Sequence, residues 1–278
     1  MFRLRQLFLL CSLTFLNNAY SAESARSWIL IDDFEHPDAI EQWVLADPDN
    51  NTDPRIEKPQ VTEVRIEQGL NNHYLLKKPA AEGVIGNRKA LSYKRLPEKV
   101  DTGEVFTFYT RINVEYFPNN HSFGLSNLTS ERIAQENYNA FEPMIRITDK
   151  MESNGYKNSG ALMVLKGHKS YIDIQNPETG SEAEPLEPGV WYELWWVIDN
   201  RKYLEGGQRY DLYVRGGEFK TQQKVYTAAE FRMKRELPLI FFTTISNTGS
   251  RKKPYGNGGV RYDDLYMVRG LMLETPVN

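Results

Sequence analysis

Cysteine is almost absent from this 278-residue chain; the single one, Cys11, sits in an apolar stretch near the N-terminus. No disulfide can staple the folded part, so its own core must hold it, and about 250 residues suffice to bury one. Long hydrophobic runs are missing too. The longest, "LFLLCSLTFL" (7–16), is half of the roughly 20 residues that cross a bilayer. With Arg3 and Arg5 before it and "NNAYSA" after it, the stretch reads as a secretory signal peptide over residues 1–21. Ala19 and Ser21 occupy the −3 and −1 places, and Leu10 before Cys11 does not suit a lipoprotein box. The expected destination is the periplasm or the cell exterior, with residues 22–278 as one domain.

Positive charge is also scarce. Taking Arg3 and Arg5 from the 34 basic side chains leaves 32 against 37 acidic ones, with no basic tract of the kind nucleic acid requires. There is no G-x-S-x-G, no H-E-x-x-H and no glycine-rich phosphate loop before a helix. Sustained 3.6-residue apolar periodicity is lacking, although 129–141 and 227–234 could each hold a helical turn or two.

What is present is alternation. In "EVFTFYTRINVEY" (104–116), Phe106, Phe108, Ile112 and Val114 share one face, and Thr107, Tyr109, Arg111 and Asn113 the other. "WYELWWVID" (191–199) and "RYDLYVRGG" (209–217) alternate likewise, and 143–149, 160–167 and 237–247 add further strands. Weaker ones lie at 62–68, 72–78 and 89–95, with turn signals such as "NPETG", "LEGGQ" and "YGNGG" between elements. The pattern predicts an all-β protein: two antiparallel sheets packed face to face as a β-sandwich.

"GVWYELWWVIDN", the glycine-rich turn, "YDLYVRGG" and the closing "VRYDDLYMV" resemble the concanavalin A-like lectin/glucanase superfamily over most of residues 28 to 272. The resemblance implies a jelly roll whose first and last strands lie side by side in one sheet. The leading "LIDDFE" resembles the opening of carbohydrate-binding jelly rolls, where it lies by a structural calcium. Asp32, Asp33 and Glu35 would then approach Asp263 and Asp264, and Ca²⁺, which takes six to eight oxygen ligands, is the expected ion. The other reading is that these acids cap turns or meet an arginine such as Arg261.

The superfamily contains lectins, binding modules, glycosidases, polysaccharide lyases and adhesive domains, so fold alone does not choose. Sugar recognition calls for aromatic rings beside polar groups, and the outward face of the central strands offers Tyr109, Arg111, Arg146, Glu193, Trp195 and Tyr213. A lyase would need a cation or amide for a uronate carboxylate and a base for the adjacent proton. Arg146 and Asn120 with His121, His168, Tyr171 and Gln175 supply those types, His121 in "PNNHSFGLSN" and His168 in "KGHKSY" being expected in loops that follow strands and rim a cleft. The arginine-, glutamine–histidine- and tyrosine-bearing strand motifs of jelly-roll alginate lyases are absent, as is the family 16 glucanase "E-x-D-x-x-E". The expectation is an exported protein that binds a polysaccharide. β-Elimination on an acidic polysaccharide is the alternative, and an adhesive domain without sugar specificity the second.

Overall fold

The computed structural model describes residues 27–36, 38–153, 155–167 and 170–276. The expected signal peptide with Cys11, and His168, lie outside the described residues. Two antiparallel sheets make the body. The larger runs Phe219–Glu230, Arg209–Gly216, Trp191–Asp199, Val105–Val114, Val260–Arg269, His73–Lys78, Val61–Ile66, with Ile29–Asp32 paired alongside Val260–Arg269. The smaller runs Ser170–Asp173, Leu162–Gly167, Phe141–Thr148, Asn120–Ser126, Leu239–Ser246, Ala90–Val100, Trp43–Ala46. The first and last strands are therefore neighbours, with Ile29 opposite Met267 and Asp32 opposite Leu265.

The alternation seen in the sequence decides what lies between the sheets. Phe106, Phe108, Ile112 and Val114 meet Tyr192, Leu194, Trp196 and Ile198 from the neighbouring strand, all in one buried cluster. The smaller sheet contributes Phe123, Leu125, Ile145, Ile147 and Phe242 to the same cluster. Trp196 lies 5.3 Å from the Phe123 ring, which lies 5.5 Å from Tyr262, so rings from both sheets interdigitate. A second cluster forms on the far side of the smaller sheet. There Leu128, Ile133 and Ala140, carried on and beside the helix Ser130–Glu136, cover Tyr93, Met144, Leu165 and Ile245. Half of that sheet's outer face is roofed in this way.

Two sequence expectations change. Residues 227–234 hold no helix, because Phe219–Glu230 continues as an edge strand and the chain then turns. "NNHSFGLSN" is not a rim loop but contains the strand Asn120–Ser126, central in the smaller sheet. Its polar residues hide a period-2 pattern, with His121, Phe123 and Leu125 facing inward and Ser122, Gly124 and Ser126 outward.

One ion pair ties the sheets together. Asp32, 5% exposed, receives Lys94 Nζ at 2.8 Å and Trp43 Nε1 at 2.9 Å, both from the smaller sheet. A buried charge stripped of its partner costs about 3–5 kcal/mol. Lys94→Met is therefore expected to destabilise the fold by about that amount in urea denaturation. Adding Asp32→Asn, which can still accept from Trp43, should restore most of the loss.

Candidate functional site

The outward face of the larger sheet, where sugar-stacking rings were expected, is covered. Tyr109 is 2% exposed and Trp195 is 1% exposed. Their rings meet 5.1 Å apart, and Trp28 packs on Tyr109 at 6.1 Å. The C-terminal segment crosses above: Glu274 O accepts from Trp195 Nε1 at 3.2 Å, and Leu273 O from Gln222 Nε2 at 2.8 Å. Glu193 accepts the Tyr109 hydroxyl at 2.8 Å and pairs with Arg215. Tyr213 is half-buried beneath the Lys224 ammonium, 5.5 Å from the ring. These groups satisfy one another, and neither Tyr109 nor Trp195 offers a ring face to solvent.

Both acidic doublets are explained by bulges. A strand would send Asp263 and Asp264 to opposite faces, but the ladder slips between Asp263 and Tyr266, and Asp264 adopts φ 52°. Aspartate tolerates this left-handed conformation better than most residues. Both carboxylates consequently reach Arg111, whose Nη1 lies 3.2 Å from Asp263 and 3.0 Å from Asp264. The first strand carries a matching slip between Leu30 and Asp32. Asp32 turns inward to Lys94, Asp33 Oδ1 accepts the Glu35 N–H at 3.2 Å, and Glu35 meets His73 at 2.7 Å. The five acids thus diverge to protein donors instead of converging on calcium. Among the described residues no three His, Cys, Asp or Glu side chains group as a metal centre.

His121 also moves from its expected place. It is 1% exposed between the sheets, its Nε2 2.6 Å from the Tyr262 hydroxyl, and burial with the nearby Lys77 pushes its imidazole well below the ordinary range. A neutral, sealed histidine cannot take a substrate proton.

Arg146 and Tyr171 do come together, on the uncovered part of the smaller sheet's outer face. The arginine stacks 5.0 Å over the Tyr171 ring, and its Nη2 donates to Asn120 at 3.3 Å. Its Nη1 meets Glu152 at 2.7 Å, on the loop that follows the strand, and not Glu142 or Asp149. Glu142 is instead fully buried, accepting from Asn127, Arg235 and the backbone of 233–235. Arg146 with its Glu152 partner therefore holds no charge open for a uronate. Tyr171 accepts from Arg232 Nη1 at 3.0 Å, yet burial outweighs the two arginines and raises its hydroxyl above the usual value, so it stays a neutral phenol.

These side chains line a cavity of about 470 Å³ together with Ser153, Tyr156, Asn158 and Met163. Tyr156 is 50% exposed at its rim, and Asn158 Nδ2 holds Glu152 at 3.0 Å. The volume lies in the range of small-ligand sites. Sequence reasoning missed Glu152, Tyr156 and Asn158, because "DKMESNGYKNSG" has the composition of an ordinary surface turn.

No family model matches the chain, and no curated protein matches it by sequence. Among solved structures, the marine PL-14 alginate lyase from Aplysia kurodai aligns with a TM-score of 0.50 at 12% identity, covering 87% of this chain and 98% of that one. This chain has the concanavalin A-like jelly-roll fold. Basic winged bean lectin follows with a TM-score of 0.47 at 11% identity, covering 88% and 99%. A GH131 β-glucanase catalytic domain from Podospora anserina gives 0.44 at 8%, covering 88% and 86%. At these identities the likeness concerns architecture.

Burial and the adjacent Asp264 push the Asp263 carboxyl up to about 7, against Asn72 and Arg111. The folded jelly roll then holds a proton that the unfolded chain releases from roughly pH 4 upward. Its contribution to unfolding free energy should be complete below that point and fade as the pH rises through about 7. Urea titrations between pH 5 and 8 should show this decline, and Asp263→Asn should flatten it.

Proposed function

We propose that this protein is exported and binds a polysaccharide in the cavity on the outer face of its smaller sheet. The observation that carries the reading is the company around one ring. Tyr156, half-exposed at the rim, offers an apolar face for a pyranose, while Arg146, Glu152 and Ser153 beside it present donors and acceptors for hydroxyls. The ion pair of Arg146 with Glu152 orders both side chains before a ligand arrives, which lowers the entropic cost of binding.

Recognition is favoured over β-elimination by the protonation states. His121 is sealed, Tyr171 is held neutral, and Arg146 already has its carboxylate. Export rests on the leader sequence; among the described residues no helix is long and apolar enough to span a membrane.

Affinity electrophoresis against alginate, pectin, xylan and β-glucan tests the reading. Retardation by at least one polysaccharide is expected, and Tyr156→Ala should weaken it about tenfold, near 1.4 kcal/mol. Because Arg146 and Glu152 balance each other's charge, raising salt should change the affinity little. Silence across the panel would favour the adhesive alternative, and absorbance rising near 235 nm would favour elimination.

A further inference from the structure

We infer that Glu152 restricts this cavity to uncharged polysaccharides, by occupying on Arg146 the place that a uronate carboxylate would take. The inference rests on the binding reading above and adds the class of sugar to it. Of the side chains lining the cavity, Arg146 alone carries a positive charge and Glu152 alone a negative one. Arg146 is engaged on three sides: its guanidinium stacks on Tyr171, Nη2 donates to Asn120, and Nη1 meets Glu152 at 2.7 Å. Its side chain is 11% exposed against 31% for Glu152, so an entering ligand meets the carboxylate first.

The hairpin that carries Glu152 keeps it there. Met151 bridges Lys157, the Glu152 N–H donates to Tyr156 O at 2.7 Å, and the Gly155 N–H returns to Glu152 O at 3.0 Å. Asn158, 1% exposed, donates from Nδ2 to Lys150 O at 2.6 Å and to Glu152 Oε1 at 3.0 Å. One buried amide therefore ties the start of the hairpin to the carboxylate that faces Arg146. Burial opposes the charge on Glu152, but Arg146, Asn158 and Lys150 outweigh it and hold the carboxyl below the ordinary range. It stays ionised at neutral pH.

A uronate that sought Arg146 would have to displace Glu152. The exchange makes no new ion pair: one carboxylate replaces another, and the ejected one is left beside the incomer. Glu152 belongs to the same chain, whereas the uronate comes from solution, so the internal partner competes at a much higher effective concentration. The rim adds to the bias, because the Asp173 carboxyl, with burial and Glu182, raises the Tyr156 hydroxyl above its usual value. A neutral pyranose needs no displacement. It lies on the Tyr156 ring and shares the remaining hydrogen-bonding capacity of Arg146, Glu152 and Ser153. Specificity then comes from a charge placed against the rival ligand as much as from contacts to the accepted one.

The test is affinity electrophoresis of the full chain in β-glucan and galactomannan, each beside the same polymer oxidised at its primary hydroxyls to the uronate, and in xylan beside glucuronoxylan. Wild type is expected to be retarded by a neutral polymer and about tenfold less by its acidic counterpart. Glu152→Gln removes the internal charge and nearly keeps the shape, so the ratio of acidic to neutral retardation should rise about tenfold. High salt should erase that gain, and so should adding Arg146→Gln. Glu152→Ala serves if Glu152→Gln folds poorly, and the wild-type comparison needs no variant. Wild type held equally by both forms, or by an acidic polymer alone, overturns the sugar class and leaves recognition standing. A folded Glu152 variant that keeps the wild-type ratio overturns the role given to Glu152. No retardation by any polymer, neutral or acidic, overturns the recognition reading itself.

Discussion

The buried contact of Asp32 with Lys94 and Trp43 fixes the rest of the molecule. It joins the strand that opens the described chain to two strands of the opposite sheet, and it sits where that opening strand pairs with the closing one. A charge pair in that position has few geometries available, because an unpaired member would be an uncompensated charge in an apolar interior. It therefore sets how the sheets register on each other. That register brings Phe123 and Tyr262 into contact and commits the polar residues of Asn120–Ser126 to the other side.

From that constraint the two outer faces acquire different fates. The larger sheet's face is closed by Trp28 and the C-terminal segment, with Tyr109, Trp195, Glu193 and Arg215 satisfied among themselves. The smaller sheet's face is closed only over one half, by residues 128–141. The remaining half keeps Arg146, Tyr171 and a hairpin bearing Glu152 and Tyr156 over an open cavity. The proposed binding rests on that incomplete cover.

The fold was legible in the sequence because its strands alternate strongly. Phe106 to Val114 and Tyr192 to Ile198 announce their inner face without ambiguity, and the core cluster is built from them. The strand at 120–126 was illegible because a histidine takes an apolar position in its pattern and serines and a glycine fill the outer one, and the inward placement of His121 depends on Tyr262 in the opposite sheet. The doublet at Asp263 and Asp264 was visible as an oddity, but its resolution required knowing that a bulge turns both carboxylates toward Arg111. The candidate site was half legible. Arg146 and Tyr171 stood out, whereas Glu152 and Tyr156 acquire meaning only when the turn after Phe141–Thr148 brings them beside Arg146.

The central claim is that the sugar binds on the smaller sheet. The most direct measurement is an amide and indole NMR titration with an oligosaccharide of the retained polysaccharide. The account predicts shift changes confined to Arg146, residues 152–158 and Tyr171, with the Trp195 indole N–H unmoved. Changes centred on Trp195, Tyr109 and Tyr213 with a silent cavity would contradict it.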